Sequence, residues 1–142
     1  MQINHLFPKF LLSIFFACPV AHAECNDVEG TRDSIVKNCL KPPLARTTAS
    51  MDGEIKALRK LLEQDSMVNE TNAVALVDQS QKQWITYRDS FCEAKGLATL
   101  GGISSRSIPE FECQLDLTKK RHAELQKLTS FLRKRNAIGT QQ

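Results

Sequence analysis

The residues best equipped for chemistry lie close together: Trp84, Tyr87, Arg88, Asp89 and Cys92. Trp84 and Tyr87 are the only tryptophan and the only tyrosine in a chain of 142 residues. At about 100° per residue, a helix here puts Trp84, Tyr87, Arg88 and Phe91 on one face with Ala73 and Val77. A guanidinium on such a face needs a carboxylate, because an unpaired buried charge is very costly. Asp52 is the first choice of partner, with Asp116 and Glu112 as alternatives. Arg88 then reads as a core ion pair that fixes helix register, or as part of a binding pocket. Trp84 and Tyr87 read as core residues with polar edges, or as an aromatic platform for a ligand. Asp89 is expected to point away from Arg88, since sequence neighbours do not face each other on a helix.

Other chemistry is sparse. The first 23 residues have the pattern of a signal peptide. Lys9 precedes the apolar run from Phe10 to Ala17, and Ala21-His22-Ala23 supplies small residues at a cleavage site. The run is too short to span a membrane. Lipidation at Cys18 is disfavoured by the bulky Phe16 upstream. Cleavage after Ala23 leaves 119 residues, and loss of Lys9 takes the formal charge from +3 to +2. That balance is too mild to point to nucleic acid. The basic cluster Arg133-Lys134-Arg135 fits a helix C-terminus. His5 and His22 leave with the leader, so His122 is the one remaining histidine. No nucleophile motif, phosphate-binding glycine loop or metal-ligand cluster is present, so neither an enzyme nor a cofactor is expected. Asp27, Glu29 and Asp33 suit the start of a helix better than a calcium site.

Four cysteines remain after processing: Cys25, Cys39, Cys92 and Cys113. An even count in a short exported chain points to two disulfides and an oxidising compartment. Three pairings are open, and local pairing of Cys25 with Cys39 and of Cys92 with Cys113 is the simplest. Neither pair has the spacing of a structural zinc site.

The elements that must position these residues are helical. Asp27 to Leu40 predicts a short helix stopped by Pro42-Pro43. A second helix is expected from Ala45 or Thr48, with Met51, Ile55, Leu58 and Leu62 as its apolar stripe and Gly53 as a weak point. A third is expected over 71–95, stopped at Gly96. Residues 96–110 read as a loop. A fourth begins near Pro109 to Phe111 and carries Leu117, Leu125, Leu128 and Leu132 on one side. Strand signals are absent. The expected fold is all-α, a small antiparallel bundle of about four helices with two disulfides. Residues 1–23 are the leader, 24–135 one domain and 136–142 a tail. The loop segment Ser104-Ser105-Arg106, tethered by a Cys92–Cys113 bridge, is a candidate partner-binding tip, since tethering lowers the ordering cost of binding.

Trp84-Ile85-Thr86-Tyr87-Arg88-Asp89, Cys92, Gly101-Gly102, Cys113, Leu117-Thr118, Arg121 and Leu125 together resemble the LprI-type lysozyme inhibitor domain of bacterial exported proteins. The resemblance is strongest over 76–128. Cys25, Cys39 and Met51-Asp52 are similar to its leading part, while Ile55-Lys56 and Arg59 depart from it, as does Gly-Gly-Ile-Ser in place of Gly-Gly-Ser. It implies a periplasmic or secreted helical binding protein with a protein partner, c-type lysozyme, and neither nucleic acid nor a membrane span. The alternative is an envelope accessory protein that binds a bacterial partner and does not inhibit lysozyme.

Overall fold

The structure, a computed structural model, describes residues 30–65, 68, 71–100 and 107–139. These residues form three long helices, not four. Helix α1 is one continuous rod built from an α-helical turn Arg32–Ile35, a π-helical segment Val36–Leu40 and an α-helical body Lys41–Gln64. Helix α2 spans Ala73–Leu100 and α3 spans Ser107–Gly139. No strand occurs among the described residues.

The predicted stop at Pro42-Pro43 does not happen, and the π segment explains why. A proline inside a helix removes a donor, and its ring collides with the carbonyl four residues back. For Pro42 and Pro43 those carbonyls belong to Asn38 and Cys39, both inside Val36–Leu40. There the ladder is widened, with the Lys41 N–H reaching back to the Val36 carbonyl. The wider turn accommodates the two rings, and the chain continues as helix. The predicted first and second helices are therefore one. Upstream, Thr31 caps α1 by accepting from the Ser34 N–H.

The stripe predicted on α1 is the centre of the core. Met51, Ile55, Leu58 and Leu62 are buried and cluster with Leu125 and Leu132 of α3. Trp84 and Val77 of α2 pack against that cluster. Helix α1 runs antiparallel to α2 and parallel to α3. Arg59 pairs with Asp78 across α1 and α2, with Nε 2.6 Å from Oδ1. The starts of α1 and α3 meet where the Lys41 ammonium lies 5.4 Å from the centroid of Phe111. Their ends meet where Arg135 binds Asp65.

The faces of α2 and α3 are rotated from expectation. The inward-facing stripe of α2 runs Val77, Gln81, Trp84, Arg88, Cys92, in steps of four, three, four and four, with Gln81 and Cys92 buried and the other three half-buried. Tyr87 and Phe91 lie outside it, 54% and 47% exposed, stacked on each other with centroids 5.5 Å apart. Tyr87 is thus not a core residue. On α3, Leu128 is exposed, and Thr129 occupies the buried position beside it. Gly96 does not stop α2. It is buried within the helix, which continues to Leu100. Of the predicted 96–110 loop, 96–100 and 107–110 are helical, and 101–106 lie outside the described residues.

Candidate functional site

The motif residues converge on the seam between α2 and α3, where each step up one helix is matched by a step down the other. At the top, Cys92 and Cys113 form a disulfide with a Cα–Cα distance of 5.5 Å, and both residues are buried. One turn below, Arg88 reaches Thr118, its Nη1 donating to Oγ1 at 3.3 Å. Lower still, Arg121 donates from Nη2 to Ser80 Oγ at 3.0 Å and from Nε to Gln81 Oε1 at 3.4 Å.

Arg88 has a carboxylate, as charge burial demands, but none of the three expected. Its Nε and Nη2 both bind Asp89 Oδ1, at 2.8 and 2.7 Å. The guanidinium also lies over Trp84, 5.3 Å from the ring centroid, a cation–π contact with the residue one turn back. Asp52 is exposed on α1, Asp116 pairs with Lys120 on its own helix at 2.7 Å, and Glu112 is exposed. The expected Arg88–Asp52 pair is replaced because a long arginine curls along its own helix. It needs no carboxylate from across the bundle. The expectation that Asp89 points away from Arg88 is overturned by the same geometry.

Sequence reasoning missed Gln81 and Arg121 as members of this seam. Gln81 is buried, and its Nε2 contacts Met51 Sδ at 3.6 Å. A glutamine two turns before Arg88 on the same stripe was the available signal. The Arg121 side chain is 18% exposed and also meets Glu124 at 3.3 Å. Thr118 shares its hydroxyl in two directions, donating to the Gln114 carbonyl at 2.6 Å and accepting from Arg88.

No group of side chains among the described residues could hold a metal. The seam is a polar zipper that locks α2 to α3. The candidate tip Ser104, Ser105 and Arg106 lies outside the described residues, as does Cys25. Cys39 is itself disulfide-bonded, and its pairing with Cys25 remains the expectation.

What lies beyond the bridge is the feature of interest. Helix α2 extends from Cys92 to Leu100 and α3 starts at Ser107, so the disulfide clamps both helices about two turns below the segment that joins them.

The family model described as lysozyme inhibitor LprI matches residues 25–125, most of the chain. The chain belongs to the LprI family. No curated protein and no solved structure matches it. The LprI match takes in α1, α2 and the first half of α3, and every residue of the α2–α3 seam. It ends before the last turns of α3. LprI is an inhibitor family, in keeping with a binding protein rather than an enzyme. No described helix is long and apolar enough to cross a membrane.

Proposed function

We propose that this LprI-family chain is an exported bacterial protein that inhibits c-type lysozyme by placing the α2–α3 tip, residues 96–110, in the enzyme's cleft. Residues 1–23 serve as the signal peptide, and the helical domain of residues 24–135 acts in the periplasm or outside the cell. The observation that carries the reading is the clamp. The Cys92–Cys113 bridge ties α2 to α3 about two turns before residues 101–106, so the segment that follows starts from two fixed helix ends. Preorganisation lowers the ordering cost of binding. Lysozyme hydrolyses its glycan with two carboxyl groups in a cleft. Arg106 would pair with them, while Ser104 and Ser105 would occupy hydrogen-bonding positions of the sugar.

Charge does not assist the encounter. A c-type lysozyme is strongly basic and this domain carries about +2 after processing, so recognition rests on local fit rather than long-range steering. That charge relation favours a second reading, an envelope accessory protein whose partner is bacterial.

A cell-wall lysis assay separates the two. Purified processed protein in micromolar excess should slow lysis by c-type lysozyme. Arg106→Ala should weaken inhibition by roughly tenfold or more, as expected for a charged hydrogen-bonded pair at an interface. Undiminished lysis would leave the accessory reading. Inhibition that survives both Arg106→Ala and Ser104→Ala would place the contact elsewhere on the molecule.

A further inference from the structure

The part of α3 after Leu125 lies outside the family match and has a character of its own. After Glu124 the sequence contains no acid, but it has Lys127, Arg133, Lys134 and Arg135. Arg135 is engaged by Asp65. Lys127, Arg133 and Lys134 have no ion-pair partner among the described residues. Beside them, three large apolar side chains stand in solvent: Leu128 at 44%, Phe131 at 61% and Ile138 at 68% exposure. Leu125, Thr129 and Leu132 hold the opposite face of the same turns in the core. The exposed apolar residues are therefore not needed to close the bundle. Lys127, Phe131 and Lys134 line one shallow hollow on the outer surface.

We infer that this face docks on an anionic phospholipid surface, Phe131 and Ile138 entering the headgroup boundary while Lys127 and Lys134 meet the lipid charges. Exposed aromatic and aliphatic side chains flanked by lysines on a helix lying in the interface plane match that environment. The charge pattern argues against a second copy of the chain as the occupant, since a self-paired face would bring Lys127 and Lys134 against their own counterparts. A soluble polyanion would satisfy the lysines and leave Phe131 and Ile138 in water. The bilayer surface satisfies both groups of residues.

The test is sedimentation of the processed protein with vesicles of equal parts phosphatidylglycerol and phosphatidylethanolamine, and with vesicles of phosphatidylcholine alone. Binding is expected to the anionic vesicles only, and to decline with added salt. Lys127→Gln and Lys134→Gln should each lower partitioning about fivefold. Phe131→Ser should lower it about tenfold or more. All three positions are exposed, and unchanged circular dichroism melts will show that the variants remain folded. Four results would overturn the inference. One is failure to bind the anionic vesicles. The second is equal binding to both vesicle types. The third is wild-type partitioning by Phe131→Ser, which would mark a generic polyanion site. The fourth is lipid-free dimerisation abolished by Phe131→Ser, which would assign the face to self-association.

Discussion

Arg88 shows what a single residue makes legible. Its place among apolar positions is enough to demand a carboxylate, and the structure supplies one. The identity of that carboxylate is hidden, because the choice depends on which way a flexible side chain folds, and Asp89 was within reach all along. The pair is half open to solvent on the Asp89 side, at 50% exposure, so it contributes modestly. The two buried threonines of α3 give a sharper test. Thr118 and Thr129 both return their hydroxyl to their own helix, to Gln114 and Leu125. Thr118 also accepts from Arg88. Replacing Thr129 by valine deletes a bond to a carbonyl already served by the helix, and urea unfolding should show a change within about 0.5 kcal/mol. Thr118→Val strands a guanidinium donor, and the same measurement should show a loss of about 1–2 kcal/mol. Equal losses at the two sites would mean that the Arg88 contact contributes nothing.

At the scale of elements, periodicity was a good guide wherever one face met one core. Met51, Ile55, Leu58 and Leu62 are buried as their spacing predicts. It failed where position rather than composition fixed the face. The aromatic residues of α2 argue for an inward Tyr87 and Phe91. The fully buried Cys92 and the hydrogen-bonded Gln81 rotate the helix enough to leave both rings on the flank. Pro42 and Pro43 misled for a related reason. They are stop signals for an α-helix, and the helix passes them in another form. Gly53 is the remaining weak point in α1, exposed, with no atom within 4 Å of where a Cβ would stand. Gly53→Ala should therefore raise stability by about 1 kcal/mol, read as a higher melting temperature. A lower one would show that this turn depends on glycine for reasons beyond helix propensity.

The described residues form three rods, with the main apolar cluster toward one end and a covalent clamp between α2 and α3 near the other. The family motif, which looks from sequence like a recognition surface, is mostly the lock of the α2–α3 seam. The surfaces proposed for partners are the segment beyond the clamp and the outer face of α3. The tip was expected from cysteine spacing and glycine content, and residues 101–106 lie outside the described residues. The α3 face was not expected, since Phe131 and Ile138 could equally have been core until the bundle was assembled. The clamp has a further consequence for how the chain meets proteolysis. A cut anywhere between Cys92 and Cys113 opens the backbone without separating the pieces, which stay joined through sulfur. Protease-nicked protein should thus run as one species on a gel until it is reduced, and then as two.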